Sequence, residues 1–343
     1  MPERVLRRGL HVALPLLAAL LVSGLVLLAI GEDPLATFGL MAFEGFGSGR
    51  QVAATLAAAT PLLFAGIATA VCFRAGVFNV GVDGAFLVGG LAAVTAGFAL
   101  PAALGWALAP IALVLAALAG AAWLWVPGWL MARLDVDVVV STLMLNFVAA
   151  GITGYLVNGL LLSAESGNNV TPTIHEAAEL ARLVPPSTLH AGFLLGLAAL
   201  AAYAVWCRRT PQGFEGEIVG LSPRFARAVG ISVPGAIILS MVLSGIVAGL
   251  GGASHGLGQI HRFTDGFSAG YGFTGIAIAL LARSDPWGLL AGSVLFGALA
   301  SAGTTIQLFS AIPLDLVDIM VGTIMVFAVI DPARLGIRRR AAA

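Results

Sequence analysis

The side chains most able to do chemistry in this sequence are a few acids that stand inside or beside long apolar runs. Asp83 lies in the glycine-rich segment 74–90, while Asp315 and Asp318 lie at the start of the last apolar run. Because charge is costly in hydrocarbon, acids at such positions are candidates for binding a solute or carrying a proton. Asp83 has a third interpretation, in which its carboxylate stabilises the N-terminus of the helix that follows it.

Several kinds of catalytic chemistry are excluded by residue types that the chain lacks. All 17 basic residues are arginine, so there is no lysine for a phosphate-binding P-loop or for a Schiff base. The histidines show no metal-ligand spacing beyond a loose pair, His255 and His261. We therefore expect a chain that is not an enzyme and holds no metal or cofactor. If ATP and Mg²⁺ supply its energy, they must be bound by a partner subunit.

The elements that position these acids are helices of membrane-spanning length. The sequence is 59% hydrophobic and 10% charged. A spanning helix needs about 20 mostly apolar residues, and the apolar runs predict an all-α polytopic membrane protein with about ten transmembrane helices in one domain, 1–343. The predicted spans are 10–30, 52–72, 84–100, 105–126, 138–162, 187–207, 234–254, 270–282, 286–306 and 313–330.

The distribution of arginine predicts how these helices are oriented. A ten-span path with both termini in the cytoplasm leaves all but three of the 17 arginines on the cytoplasmic side. The exceptions are Arg50, Arg182 and Arg262. Cytoplasmic loops of membrane proteins carry an excess of Lys and Arg, so we expect cytoplasmic N- and C-termini.

The same path places the polar segment 163–186 outside the cell. A short helix from Ile174 to Leu183 is expected within this external loop. The loop has two interpretations, which the sequence leaves open: a contact for an extracytoplasmic partner, or a plain connector between two spans.

Two segments predict helices that are interrupted within the membrane. Segments 74–90 (RAGVFNVGVDGAFLVGG) and 265–283 (DGFSAGYGFTGIAIALLAR) each place closely spaced glycines and an aromatic residue in or beside a span. Irregular backbone at membrane depth persists only where protein buries it or where it lines a wet cavity. Paired breaks of this kind point to a transport path. The alternative is that the glycines serve only tight helix packing.

A transport path through these breaks is expected to offer aromatic and small polar side chains rather than fixed charge, as Phe78, Asn79, Phe273 and Thr274 do. The residues assigned to the translocation path are Phe78, Asn79, Asp83, Asn146, Phe273 and Thr274. Asn146 stands within the helical motif STLMLNF and has two interpretations, a hydrogen bond to a neighbouring helix or a contact with solute.

The predicted cytoplasmic loop, 208–233, contains a short helix with its own start and stop residues. Ser222 is suited to cap the first N–H groups, and Pro223 is pre-shaped for the first helical position. Gly230 provides the stop, so the helix is predicted at Pro223–Val229. An isolated helix shorter than about 12 residues is marginal in water, so this one either docks on a partner or packs on its own bundle.

Four motifs together resemble one protein family. They are FRAGVFNVGVDG (Phe73–Gly84), STLMLNF (Ser141–Phe147), VGLSPRFARAVGIS (Val219–Ser232) and the glycine-rich stretch 264–283. In this order they are similar to motifs in the permease subunits of bacterial ABC importers of the branched-chain amino acid and simple-sugar superfamily, most closely its nucleoside and simple-sugar branch. The resemblance extends over 50–330.

The resemblance implies a membrane channel without ATPase activity. It implies a separate ABC ATPase subunit, a second permease that is identical or homologous, an extracytoplasmic solute-binding lipoprotein, and a place in the bacterial plasma (inner) membrane, with no nucleic acid bound. It also implies that the loop 208–233 is the coupling element that docks into the ATPase. The coupling residues by this resemblance are Glu217, Gly220, Ser222, Pro223, Ala226, Arg227 and Gly230.

The sequence departs from the family pattern in two places. Ser222 stands where the family has Asn, which preserves the helix cap. Asp83-Gly84-Ala85 stands where the family has Glu-Gly-Gln, so an amide that could contact a solute is missing.

Three functions follow as hypotheses. The leading one is the permease of an ATP-driven importer that translocates a nucleoside or related simple sugar delivered by a binding protein. The second is an ion- or proton-coupled secondary transporter that uses Asp83 or Asp318. The third is a membrane scaffold or assembly subunit that moves no solute.

Overall fold

The computed structural model of the chain describes residues 2–163, 168–309 and 315–329, and these ranges are mainly helical. Short 3₁₀ turns at Ala102–Ala107 and Glu176–Ala178 and a π-helical turn at Gly256–Ile260 supplement the α-helices. The α-helices are α1 (Pro2–Ala29), α2 (Pro34–Phe46), α3 (Gly49–Arg74), α4 (Val82–Ala99), α5 (Leu108–Leu134), α6 (Val138–Asn158), α7 (Gly192–Arg209), α8 (Pro211–Leu221), α9 (Pro223–Ala228), α10 (Val233–His255), α11 (Tyr271–Ala282), α12 (Pro286–Phe309) and α13 (Asp315–Val329).

Seven helices within the described ranges are long and apolar enough to cross a membrane. Three shorter apolar helices, Leu14–Ala29, Tyr271–Ala282 and Leu316–Phe327, occupy the places of the other predicted spans. The all-helical membrane fold is therefore confirmed, whereas the count of ten spans and the cytoplasmic placement of both termini stay predictions. The seven helices are Gly49–Arg74, Val82–Ala99, Ala102–Leu134, Val138–Asn158, Gly192–Arg209, Val233–Ile260 and Pro286–Thr305.

Glycines let α4, α5 and α10 approach one another backbone to backbone. A Cβ atom on Gly120 of α5 would lie 2.2 Å from the carbonyl oxygen of Gly245 in α10. A Cβ atom on Gly252 of α10 would lie 2.1 Å from the carbonyl oxygen of Phe86 in α4. Because lipid supplies no hydrophobic drive between helices, such close contacts are a principal source of cohesion in a membrane bundle.

Both glycine-rich segments contain an interruption, and the two interrupted units interlock. The first gap, 75–81, separates α3 from α4, and the second, 261–270, separates the π-turn after α10 from α11. Gly275 of α11 packs on Ala65 near the middle of α3, since its Cβ would lie 2.7 Å from Ala65. Each unit thus packs its helices against those of the other, α11 on α3 and α4 on α10.

One local prediction is wrong, one predicted helix is confirmed with a different last residue, and one element was missed. The expected helix Ile174–Leu183 is only the 3₁₀ turn Glu176–Ala178, because the N–H groups of Ile174 and Leu180 bond to carbonyls of the second interrupted unit instead of to their own turn. The helix predicted at Pro223–Val229 ends one residue earlier, at Ala228. Helix α2 was not expected, since its 13 residues are too few to span a membrane.

Candidate functional site

The first interruption is held in place by two buried asparagines. The Asn79 side chain accepts from the Gly81 N–H at 2.8 Å and donates to the Ser244 hydroxyl of α10 at 3.1 Å. Irregular backbone must have its polar groups satisfied inside a membrane bundle, and Asn79 supplies part of that satisfaction. Its side chain is fully buried, so in this conformation it faces protein rather than an open path.

Asn146 of α6 stabilises the same interruption from the other side. It accepts from the Gly84 N–H at 2.9 Å and donates to the Val80 carbonyl at 2.9 Å. Of its two interpretations, the hydrogen bond to a neighbouring element is the one formed here. Contact with a solute stays a prediction for both asparagines.

Asp83 joins the first interruption to the second. One oxygen of its carboxylate, Oδ1, accepts from the Ser268 hydroxyl and, at 3.0 Å, from the Gly272 N–H in the first turn of α11. The carboxylate therefore caps α11 and makes no side-chain cap at the start of its own helix, α4. The sequence had suggested stabilisation of the following helix; the helix stabilised by this contact is 189 residues further along the chain.

The first interruption is also fixed to the loop that follows α7. Gly76 and Gly220 of α8 meet backbone to backbone, because a Cβ on Gly220 would lie 2.2 Å from the Arg74 carbonyl oxygen and 2.9 Å from the Gly76 nitrogen. The Arg74 guanidinium, at the end of α3, forms an ion pair with the Glu217 carboxylate of α8. Helix α8 therefore lies directly against the chain as it leaves α3.

The second interruption is fixed to the loop that precedes α7. The Thr171 N–H donates to the Phe263 carbonyl at 3.0 Å, and the Thr171 hydroxyl accepts from the Phe263 N–H at 2.9 Å. The Ile174 N–H donates to the His261 carbonyl at 3.0 Å. Because the 18 residues of α7 span about 27 Å, the two interruptions are tied to loops at opposite ends of the bundle.

His190 is a buried ionisable group in the loop that precedes α7. It is 1% exposed, and its Nδ1 accepts from the Gly192 N–H at 3.1 Å, while Nε2 has no partner among the described residues. Burial and, to a smaller extent, the neighbouring His261 lower the pKa of His190 from 6.5 to about 4. The imidazole is therefore neutral at physiological pH.

A cavity of about 330 Å³ lies beside Asp83, between the start of α4 and the second interruption. It is bounded by α4, α6 and the chain 263–270. The polar residues among its lining are Asp83, Thr153, Asn158, Thr264, Asp265 and Ser268. No group of three or more potential metal ligands occurs in the part of the chain that the structure describes.

The remaining predicted path residues lie outside the lining of this cavity. Phe78 and Phe273 are both exposed, and Phe78 stacks on Phe73 with ring centroids 5.2 Å apart. Thr274 is half-buried and its hydroxyl donates to the Gly270 carbonyl. Of the predicted path residues, only Asp83 lines the cavity. Asp265 and Ser268 were not assigned to the path, although both stand in the glycine-rich segment 265–283.

The residues predicted to couple to a partner divide between interior and surface. Ser222 caps α9 through a bond from the Phe225 N–H, and Ala226 is the buried residue of that helix. Gly220 and Glu217 contact their own bundle, as described above. Arg227, Pro223 and Gly230 are exposed, and Gly230 adopts a positive φ of 85°. Ala226 is the one buried residue of the predicted set, so a partner can reach the other six at the surface.

The apolar side chains of the short helix α9 face outward. Phe225 is 55% exposed and Val229, which follows the helix, is 54% exposed, while Leu221 at the end of α8 is 77% exposed. Arg224 and Arg227 are exposed beside them. We call these five residues the α9 surface. Because Ala226 is the one buried residue of α9, its larger side chains remain available to another protein.

The sequence is similar to membrane transport proteins of one family. A family model described as "Branched-chain amino acid transport system / permease component" matches residues 51–329. The glucose ABC transporter permease protein of Haloferax volcanii is 34% identical over 92% of this chain and 86% of its own length. The guanosine ABC transporter permease protein of Bacillus subtilis strain 168 is 34% identical over 94% of both chains.

A third relative is named for the transport of nucleosides. The nucleoside ABC transporter permease protein of Lactococcus lactis subsp. cremoris is 29% identical over 92% of this chain and 90% of its own. No solved structure matches the chain.

Proposed function

The chain belongs to the family of branched-chain amino acid transport system permease components, and we propose that it forms the membrane channel of an ATP-driven importer for a nucleoside or related simple sugar. Family membership confirms the resemblance carried by the four sequence motifs. The named relatives are ABC transporter permeases for glucose, guanosine and nucleosides, which supports this class of solute.

The contact of Asp83 with Ser268 and Gly272, which we call the joint, is the observation that carries this proposal. It holds together two irregular segments, one attached to α8 and the other attached to the loop before α7. A displacement of either loop would therefore act on the middle of the bundle. An importer requires such a connection, because events at one face of the membrane must open the path toward the other.

The energy source in this proposal is a separate ABC ATPase that contacts the α9 surface. The absence of lysine removes a P-loop from this chain. Exposed Phe225 and Val229 beside Arg224 and Arg227 provide an apolar centre with a basic edge, a composition typical of protein interfaces. A displacement of α9 would be transmitted to the first interruption through α8, Gly220 and the Glu217–Arg74 ion pair.

The proposed importer has two further partners, a second permease and a solute-binding lipoprotein. A second permease, identical or homologous, would pack on the face of α6 that exposes Phe147 and Tyr155. A solute-binding lipoprotein would deliver the solute to the loop 163–186, which we place outside the inner membrane of a bacterium. The channel itself holds no cofactor, and ATP and Mg²⁺ belong to the ATPase.

A proton- or ion-coupled transporter is the alternative, and its candidate carriers differ in surroundings. Asp83 is engaged with Ser268 and Gly272. Asp318 is exposed on α13, while the Asp315 side chain lies outside the described side chains. Structural use of the Asp83 carboxylate favours the ATP-driven function over one that needs this group to release a proton in every cycle.

Solute-stimulated ATP hydrolysis tests the proposal. The chain is reconstituted in vesicles with its ATPase, second permease and binding protein, and hydrolysis is measured with guanosine, glucose and leucine in turn. We expect guanosine or glucose to stimulate hydrolysis. Stimulation by leucine alone would contradict the solute class, and the absence of stimulation by any solute would favour a scaffold.

A further inference from the structure

The cavity beside Asp83 has an acidic lining. Two carboxylates, Asp83 and Asp265, line it together with hydroxyl and amide side chains, and its described lining contains no Arg or His. Binding sites for small molecules commonly measure about 300–1,000 Å³, so a cavity of about 330 Å³ can hold a small solute. A negative lining without a basic side chain disfavours an anionic solute.

Each carboxylate keeps one oxygen available to the cavity. Asp83 uses Oδ1 for Ser268 and Gly272, and Oδ2 has no hydrogen-bond partner among the described residues. Asp265 uses Oδ1 for the Gly266 N–H at 3.0 Å, and its Oδ2 likewise has no partner within the described ranges. Ionised carboxylate oxygens only accept hydrogen bonds, so the complementary group on a neutral solute is a hydroxyl or an N–H donor.

The rest of the lining suits a ring that carries hydroxyl groups. Thr153 and Asn158 of α6 provide further polar atoms, while Phe263 and Phe267, both buried and stacked on each other with ring centroids 4.2 Å apart, form an apolar wall. Adjacent ring hydroxyls bind well to a carboxylate, as the ribose of dinucleotides does in other folds.

Granted the proposed transport function, on which this step rests, we infer that the cavity is a transit site for an uncharged solute whose adjacent ring hydroxyls donate to the free carboxylate oxygens of Asp83 and Asp265. Asp83 then has two roles, since Oδ1 joins the interruptions while Oδ2 selects the solute. Asp265, on the exposed rim, makes the first contact.

The variants that test this site change one oxygen at a time. In Asp83→Asn, the amide oxygen can still accept from Ser268 and Gly272, while the amide NH₂ group replaces the free acceptor. Asp265→Asn makes the same change at the rim, away from the joint. Asp318→Asn removes a carboxylate that lies on α13, outside the cavity, and serves as the matched control.

The measurement is the ratio of ATP-driven uptake rates for guanosine and for 2′,3′-dideoxyguanosine by the complete complex. Binding protein and ATPase are the same in every sample, so a change in the ratio between variants arises in this chain. We expect wild type and Asp318→Asn to favour guanosine, and Asp83→Asn and Asp265→Asn to reduce the ratio roughly tenfold, as expected for loss of a hydrogen bond to a charged group.

The outcomes separate this inference from the proposed function. No ATP-driven uptake of either guanosine or glucose by wild type would overturn both. Uptake with an equal wild-type preference for both solutes, or an unchanged ratio in Asp265→Asn, would overturn the transit site alone. An equal loss of both rates in Asp83→Asn would assign this acid to the joint or to a cation, and would also overturn it.

Discussion

The carboxylate of Asp83 accepts a hydrogen bond from the backbone N–H of Gly272 at 3.0 Å, across 189 residues of sequence. This contact joins the start of α4 to the start of α11 in the middle of the bundle. It leaves no room for a side chain at Gly272, where a Cβ would lie 2.5 Å from the Asp83 nitrogen. The two interruptions are therefore one structural unit, and a shift of either is expected to move the other.

The backbone contact between Gly76 and Gly220 predicts a sharp effect of a single methyl group. In Gly220→Ala the Cβ would meet the Arg74 carbonyl oxygen at 2.2 Å, so α8 must move away from the first interruption, at a cost of about 1–3 kcal/mol. We expect uptake to fall at least tenfold while ATP hydrolysis continues.

Gly216 provides the matched control for that substitution, because it lies in the same helix. A Cβ there has as its nearest neighbour the Trp206 side chain at 3.9 Å, an ordinary contact. Gly216→Ala should therefore transport normally. Equal uptake by the two variants would show that the contact at Gly220 does not transmit motion.

If the Arg74–Glu217 ion pair transmits motion, exchanging its two charges should restore the coupling that either single reversal impairs. Both side chains are partly exposed, so the pair contributes at most about 1 kcal/mol, enough for a several-fold change in uptake per ATP hydrolysed. Arg74→Glu and Glu217→Arg should each lower that ratio, and the double variant should recover most of it. Arg133→Glu, at the end of α5, controls for loss of a basic residue. Failure of the double variant to improve on either single one would argue against the pair.

The α9 surface predicts uncoupling without unfolding. Arg227 is exposed and its side chain has no hydrogen-bond or ion-pair partner among the described residues, so Arg227→Glu should leave the melting temperature unchanged while it lowers uptake per ATP hydrolysed about tenfold, as expected for a like-charge clash at an interface. Arg50→Glu, at an exposed position before the apolar part of α3, should have no effect. Normal coupling in Arg227→Glu would place the ATPase contact elsewhere.

The buried His190 predicts how stability depends on pH. Its pKa is about 4 in the folded protein and 6.5 otherwise, so below pH 6.5 protons bind preferentially to the unfolded chain. Folding stability should therefore decrease as the pH falls from 6.5 towards 4, by up to about 3 kcal/mol from this group.

Thermal melting of the detergent-solubilised protein checks this dependence. The drop in melting temperature between pH 7.5 and pH 5 should be smaller in His190→Gln than in wild type. His175→Gln, on the same loop but partly exposed, should keep the wild-type drop. An unchanged drop in His190→Gln would mean that His190 does not titrate as its burial requires.

Features that depend on neighbouring residues were predictable from the sequence. The Ser222 cap, the Pro223 start and the positive φ at Gly230 follow from residue types within nine positions. Closely spaced glycines likewise revealed both interruptions, since few other residues favour irregular backbone at membrane depth.

Features that depend on contacts between distant parts of the chain were not predictable from the sequence. Nothing local indicates that Asp83 caps α11, or that Gly220 meets Gly76, because these pairs are brought together only by the interlocking of α3, α4, α10 and α11. The wrong helix at Ile174–Leu183 has the same origin. Its local pattern is helical, but the Leu180 N–H bonds to the Leu257 carbonyl of the π-turn instead.

The most direct test of the account compares two driving forces in the same vesicles. Guanosine uptake by the reconstituted complex is measured with ATP and no gradient, and with a proton gradient and no ATP. ATP-driven function predicts uptake only in the first case, unaffected by a proton ionophore and abolished when the ATPase subunit is omitted. Uptake by this chain alone under a proton gradient would contradict the account.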